Sequence, residues 1–161
     1  MRRLLAGMSL TIMSIAAPVQ AQDVQAAMLE VQIDNTQARI TEHLRGVYAA
    51  DARITTLYRF NRDRFVHRVR QIGFTRRCTL FLRRGAMLEH NTEGNMPATS
   101  EFDLADNYSF EYQGARVIFI KPTTLRSYRF ELGFSTSVDA VRFVAEMNPL
   151  ASACRELSQL H

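Results

Sequence analysis

The chain has 161 residues, of which 47% are hydrophobic and 22% are charged, with only 7 Gly and 4 Pro. This length and composition are typical of one globular domain, and they exclude a disordered chain, a fibrous protein and a protein with several membrane spans. The formal net charge is +4, from 20 Lys and Arg against 16 Asp and Glu, and without Arg2 and Arg3 the balance is 18 against 16. So small an excess gives no support to nucleic-acid binding.

Residues 1–21 have the pattern of a cleaved secretory signal peptide. Arg2 and Arg3 form a basic start, residues 4–19 are mostly apolar, and Val19-Gln20-Ala21 fits the small residues that precede a cleavage site. The apolar run meets Pro18 before it reaches the roughly 20 residues that a membrane-spanning helix needs. We therefore predict cleavage after Ala21, a mature chain with no transmembrane segment, and a periplasmic or secreted location.

Residues 22–161 are predicted to form one α+β domain. Residues 22–50 lack proline and have apolar side chains at helical spacing, which predicts a long amphipathic helix, broken near Asp34-Asn35. Its apolar positions are Val24, Met28, Val31, Ile33, Ile40, Leu44 and Val47. In the preferred interpretation this stripe packs on a sheet. In the alternative it stays exposed and docks onto a larger envelope assembly or a membrane.

Residues 51–77 permit two interpretations. Their apolar residues fit one face of a helix, but Arg53, Arg64 and Arg68 would then share that face. The β-branched and aromatic residues between positions 54 and 60 instead favour strands, with a turn at residues 61–64. Strands are preferred, and residues 51–134 as a whole are predicted to be mainly β-structure.

Residues 78–134 alternate between apolar and polar side chains, which predicts an antiparallel meander. Cys78, Leu80 and Leu82 share one face of its first strand, and a turn at Arg84-Gly85 leads into residues 86–90. Loops follow at residues 92–97 and 121–124, with a last strand at 125–134. In between, a two-residue turn at Gln113-Gly114 is predicted to place Phe110 opposite Val117 and Glu111 opposite Arg116.

Residues 135–161 are predicted to form a C-terminal helix. Ser135-Thr136-Ser137 supplies hydroxyl caps, and Asp139 follows in the first turn. Asn148-Pro149 predicts a kink or a restart, because proline lacks a backbone donor. One apolar face steps by three and four residues: Ala140, Phe143, Met147, Leu150, Cys154 and Leu157.

Cys78 and Cys154 are the two cysteines of the chain, and both fall on predicted inward faces. In an oxidising compartment such a pair is expected to form a disulfide, which would pin the C-terminal helix across the sheet.

The order of elements is similar to that of pleckstrin-homology-like domains. Residues 102–104 lead into the hairpin 108–120, then into strand 125–134 and the helix from Ser137. The resemblance implies a rolled antiparallel sheet closed by a C-terminal helix. Because many functions share such folds, it implies no particular function.

Arginine is distributed unevenly along the chain. Residues 51–84 contain ten arginines and two carboxylates, whereas residues 85–115 contain six carboxylates and no Lys or Arg. The pairs Arg76-Arg77 and Arg83-Arg84 predict an anion-binding site, because guanidinium groups suit phosphate and carboxylate. The alternative is ordinary solvated surface charge.

The sequence contains no catalytic motif such as GxSxG, HExxH, a P-loop or GxGxxG. We therefore predict a small exported, non-catalytic binding protein of the cell envelope that needs neither cofactor nor metal. Its partner would be a protein or an anionic envelope component that binds the arginine-rich patch. The alternative is a hydrolase or a divalent-cation-dependent enzyme built from carboxylates of residues 89–106, with Glu93, Asn95, Asp103 and Asp106 as candidate ligands.

Overall fold

The structure is a computed structural model that describes residues 17–46, 51–57, 62–90, 99–121 and 128–160. Its elements confirm the predicted α+β class, and the described residues between 51 and 76 are strands. The two helices are α1 (Ala17–Gly46) and α2 (Ser137–Leu160). The strands are β1 (Asp51–Leu57), β2 (Arg62–Arg76), β3 (Thr79–His90), β4 (Thr99–Asp103), β5 (Ser109–Gln113), β6 (Arg116–Lys121) and β7 (Tyr128–Gly133).

The seven described strands form one antiparallel sheet in the order β4-β3-β2-β1-β7-β6-β5. Strands β4 and β5 lie at opposite edges, yet only residues 104–108 join them, so the sheet must curl until its edges approach each other. Aromatic contacts show this approach: the ring centroid of Phe102 on β4 lies 5.9 Å from that of Tyr108 and 5.1 Å from that of Phe119 on β6. The sheet is therefore rolled up, as predicted.

Aromatic rings fill the inside of the roll. Phe119 lies 4.9 Å from both Phe110 and Phe130, and Phe102 lies 4.9 Å from Phe130. These rings meet edge-on or tilted, as aromatic side chains prefer. Phe143 of α2 stacks at 6.3 Å on Phe119, so the helix contributes to the same core.

Helix α2 has the predicted cap and the predicted inward face. The hydroxyl of Thr136 accepts a hydrogen bond from the Asp139 N–H (3.2 Å) and donates one to the Asp139 carboxylate (2.6 Å). The helix does not restart at Pro149, because it is continuous from Ser137 to Leu160. Pro149 has no N–H to donate to the carbonyl of Ala145. Because Ala145 is exposed, water can donate a hydrogen bond to that carbonyl instead. All six predicted inward residues are buried: Ala140, Phe143, Met147, Leu150, Cys154 and Leu157.

Helix α1 lies antiparallel to α2. The side chain of Gln22 donates to the Leu160 carbonyl (3.3 Å), and that of Gln25 donates to the Glu156 carboxylate (2.8 Å). The predicted break near Asp34-Asn35 is wrong, because α1 is continuous to Gly46. None of the helices in the described part of the chain has the length and apolar character that crossing a membrane requires.

The predicted apolar stripe of α1 is only partly correct. Ile33, Ile40 and Leu44 are buried, together with Leu29, but Val24, Met28 and Val31 are 60%, 69% and 61% exposed. At about 100° per residue, Val31 and Ile33 point in nearly opposite directions. The sequence therefore encodes two apolar faces, of which the one containing Ile33 packs into the core.

The hairpin of β5 and β6 differs from the prediction by two residues in register. Its turn is Gly114-Ala115, so Phe110 pairs with Phe119 instead of Val117, and Glu111 pairs with Ile118 instead of Arg116. Gly114 has a φ of +59°, which the first residue of a type II′ hairpin turn requires and which glycine adopts without strain. A shift of two residues keeps every side chain on its predicted face.

The predicted turn at Arg84-Gly85 is also wrong, because β3 runs unbroken from Thr79 to His90. A Cβ atom on Gly85 would lie 3.3 Å from the carbonyl oxygen of Arg68, so glycine here permits a close approach of β2. Cys78 lies in the turn before β3 instead of on the strand. The predicted loops at residues 92–97 and 121–124 lie outside the described residues, except for Lys121, which is the last residue of β6 and not part of a loop.

The edge of β5 is covered by polar side chains of α2. The Asn148 amide accepts a hydrogen bond from the Phe110 N–H (3.1 Å) and donates one to the Phe110 carbonyl (3.0 Å). Arg155, two turns later on the same face, donates to the Tyr108 carbonyl (3.2 Å). Alternate residues of an edge strand have unpaired backbone groups, and α2 here supplies partners in place of a further strand.

We expect Asn148→Ala to lower the free energy of unfolding by about 1–2 kcal/mol, because both backbone groups of Phe110 lose their partner. Ser152→Ala is the matched control, since it makes a similar gain in helix propensity at an exposed position of α2. Urea unfolding of both variants measures the effect. Equal stabilities of the two variants would contradict this role of Asn148.

Candidate functional site

The turn between β2 and β3, formed by Arg77 and Cys78, joins both helices to the sheet. Cys78 forms the predicted disulfide with Cys154 of α2. Its backbone has a φ of +63°, a left-handed conformation that costs a non-glycine residue about 1–2 kcal/mol. The carbonyl of Cys78 also accepts a hydrogen bond from the N–H of Leu104, at the end of β4 (2.8 Å). These bonds maintain the unfavourable conformation.

Arg77 binds two carboxylates of α1. Its guanidinium makes two hydrogen bonds of 2.9 Å to Asp34 and an ion pair of 3.0 Å with Glu30. The hydrogen bond from Arg77 holds the pKa of the Asp34 carboxyl below its usual value and raises the pKa of Arg77 itself. All three side chains are more than a third exposed, so each pair stabilises the fold by less than about 1 kcal/mol. These pairs therefore help to set the position of α1 but contribute little to the free energy of unfolding.

The four arginines of the predicted anion site occupy different surroundings. Arg77 has its charge balanced by α1, and Arg76 donates a hydrogen bond to the hydroxyl of Thr79 (3.0 Å). Arg83 is exposed on β3 opposite Gln71, and the side chain of Arg84 lies outside the described residues. The anion site at these four residues stays a prediction. Three of the four side chains are described, and among these only Arg83 projects from a strand into solvent without a partner in the described chain.

A cleft of about 410 Å³ lies between the end of α1 and the middle of β2. Its lining combines apolar side chains with two arginines, Arg45 of α1 and Arg70 of β2. Both arginines are exposed, and neither forms an ion pair with a carboxylate of the described residues. The remaining lining residues are Thr41, Leu44, Val69, Gln71, Ile72, Gly73, Phe74 and Phe81.

A β-bulge shapes this cleft. Val69 pairs with Arg84 of β3 and Gln71 pairs with the next residue, Arg83, so Arg70 is an extra residue on β2. A bulge bends its strand and redirects the side chains around it, and bulges are frequent beside binding sites. Sequence reasoning missed the cleft, because a bulge depends on how two distant segments pair.

The burial of His43 is a second feature that the sequence did not predict. The side chain is 8% exposed, and neither ring nitrogen has a hydrogen-bond partner among the described residues. A neutral imidazole has one donor and one acceptor, so burial leaves both unsatisfied. An arrangement of this kind lowers the stability of a fold.

The carboxylates of residues 89–106 lie only partly within the described chain. Asp103 accepts a hydrogen bond from the N–H of Ala105 (3.0 Å), and Asp106 accepts one from Lys121, whose pKa is raised by that bond. The ammonium of Lys121 also lies 5.3 Å from the ring of Tyr108, and burial raises the pKa of that phenol.

The side chains of Glu89, Glu93 and Asn95 lie outside the described residues. In the part of the chain that the structure describes, no three His, Cys, Asp or Glu side chains are placed to bind a metal ion together. The enzymatic alternative stays an untested hypothesis.

No protein-family model, no curated protein and no solved structure matches this chain. The cleft is therefore interpreted from its own residues and their geometry.

We expect His43→Leu to raise the free energy of unfolding by about 1–3 kcal/mol, because it removes two unsatisfied buried groups. His43→Gln is the control: glutamine has at least the helix propensity of histidine but keeps a polar group at this position. Thermal and urea unfolding measure both variants. A leucine variant less stable than the native protein would mean that the imidazole has a partner, and would contradict this interpretation.

Proposed function

We propose that this chain is an exported, non-catalytic binding protein whose cleft between α1 and β2 holds an amphipathic anion. One observation carries the proposal: the cleft is lined by apolar side chains together with two arginines, Arg45 and Arg70. Its volume lies within the range of about 300–1,000 Å³ that is typical of small-molecule sites.

The two kinds of lining residue define the ligand by its chemistry. Leu44, Val69 and Phe81 offer apolar surface, whose burial against an apolar group contributes about 25 cal/mol per Å². Arg45 and Arg70 suit a carboxylate or a phosphate, to which a guanidinium donates two parallel hydrogen bonds. The ligand would therefore carry an apolar chain or side chain next to an anionic group.

Arg83 adds a third cation next to a residue that lines the cleft. It pairs across the sheet with Gln71, which lines the cleft, and paired residues of neighbouring strands have their Cβ atoms about 5 Å apart. One of the four arginines that the sequence singled out thus adjoins this site, and it would attract the anionic group on approach.

Two features support an extracytoplasmic location. The chain begins with the pattern of a secretory signal peptide, and Cys78 and Cys154 form a disulfide, which persists mainly in oxidising compartments. An exported binding protein of the envelope would meet amphipathic anions such as fatty acids, lipid headgroups with attached chains, or acidic peptides with apolar side chains.

Titration calorimetry with laurate tests the proposal, because laurate joins one carboxylate to one apolar chain. We expect binding to the native protein and a loss of about tenfold in affinity for Arg45→Gln and for Arg70→Gln, since each variant loses one charge-assisted hydrogen bond. Arg142→Gln, an exposed arginine on α2, is the matched control and should bind as the native protein does.

Two further ligands separate the contributions of charge and chain. Acetate, which lacks the chain, and dodecyltrimethylammonium, which reverses the charge, should both bind far more weakly than laurate. Equal affinity for the cationic amphiphile, or unchanged laurate affinity in the Arg45 and Arg70 variants, would contradict the proposal.

A further inference from the structure

Helix α1 presents an apolar face that no part of the described chain covers. Val24, Met28 and Val31 follow one another at intervals of four and three residues, and they are 60%, 69% and 61% exposed. They lie on the side of α1 opposite to Leu29 and Ile33, which are buried in the core. Half of the large exposed apolar side chains of the described residues thus belong to one stripe.

The intervals of this stripe are those of a coiled coil. The alternation of four and three residues continues from Val31 to Asn35 and Ala38. Met28 and Asn35 therefore occupy heptad position a, and Val24, Val31 and Ala38 occupy heptad position d. Asn35 and Ala38 are exposed as well. A single asparagine at an a position is characteristic of parallel two-stranded coiled coils, in which it fixes the register.

We propose that this face binds a second copy of the chain, so that the α1 helices of two protomers form a short parallel coiled coil. Met28 then packs against the partner's Met28, and Asn35 hydrogen-bonds to the partner's Asn35. The proposal is independent of the ligand cleft, which lies at the other end of α1.

Charge complementarity favours this parallel arrangement. Asp34 and Arg39 occupy the g and e positions that flank the seam, and in a parallel pair Asp34 of one protomer lies beside Arg39 of the partner subunit. Both side chains are exposed. The Asp34 oxygens accept hydrogen bonds from Arg77, and each carboxylate oxygen retains a further lone pair for a second donor.

The charges around the stripe disfavour a membrane as its occupant. Between residues 22 and 39 the chain has three carboxylates, Asp23, Glu30 and Asp34, and a single cation, Arg39. Helices that lie on anionic lipid surfaces place Lys and Arg beside their apolar face, which is the opposite arrangement. The apolar seam is short, so the dimer should form reversibly and depend on concentration.

Sedimentation velocity of the purified protein over a range of concentrations tests the proposal. The native protein should show a monomer–dimer equilibrium, and Met28→Glu should raise the dimer dissociation constant at least 100-fold, because it places two carboxylates against each other. Val138→Glu is the matched control, since Val138 is a 73% exposed valine on α2. Circular dichroism and unfolding of both variants establish that they are folded.

Disulfide trapping tests the direction of the helices. Val31→Cys should cross-link two protomers rapidly under oxidising conditions, because a parallel register places this residue beside its own copy. In an antiparallel pair centred on Met28, the cysteine would instead face Val24 of the partner subunit and would not cross-link.

Three outcomes would overturn the proposal: a monomer at every concentration, a dimer that Met28→Glu leaves intact, or no cross-link in Val31→Cys. Binding of the native monomer to phospholipid vesicles, lost in Met28→Glu, would assign the face to a lipid surface and would also overturn it.

Discussion

The covalent link between Cys78 and Cys154 fixes the position of the turn between β2 and β3, and the rest of the fold depends on that position. The same two-residue turn binds α1 through Arg77, α2 through Cys78, and the end of β4 through the carbonyl of Cys78. A left-handed conformation at a cysteine is unfavourable by itself, so it is the surrounding bonds that maintain it. The two helices and the edge of the rolled sheet therefore have one common point of attachment.

The placement of α1 has two consequences for function. Its inner face is taken by the core and by α2, and the ion pairs with Arg77 lie on its flank, which leaves the outer stripe of Val24, Met28 and Val31 open for a partner. Its final turns come to lie over the bulge of β2, where Arg45 and Arg70 bound the proposed ligand cleft. The proposed ligand cleft and the proposed association surface thus lie at opposite ends of one helix, so each can be changed by substitution without altering the other.

The features that could be predicted from the sequence depend on the spacing of nearby residues or on residue counts that leave one possibility. The cap and inward face of α2 follow from residues three and four apart, and the disulfide follows from the presence of only two cysteines in a chain that was predicted to be exported. The α+β class and the antiparallel meander followed from alternation along the strands, and the rolling of the sheet was implied by the resemblance in element order to pleckstrin-homology-like domains. The hairpin register was wrong by two residues, because the position of Gly114 within its turn decides it.

Features that arise from contacts between distant segments could not be read from the sequence. In the sequence, Asn148 is only a residue of low helix propensity before a proline. Its hydrogen bonds to the N–H and carbonyl of Phe110 become visible only when α2 packs on β5. The cleft requires a bulge whose existence depends on the pairing of β2 with β3. The burial of His43 depends in the same way on how α1 is oriented.

Hydrogen exchange of the double variant Cys78→Ala, Cys154→Ala, compared with the native protein, tests the central role of the turn most directly. The loop closed by the disulfide spans 76 residues, so its loss should lower the free energy of unfolding by about 4 kcal/mol. Amide protection should fall together at three places: the C-terminal half of α2, the α1 segment around Glu30 and Asp34, and residues 103–106. Loss of protection confined to α2, with the other two segments unchanged, would contradict the account.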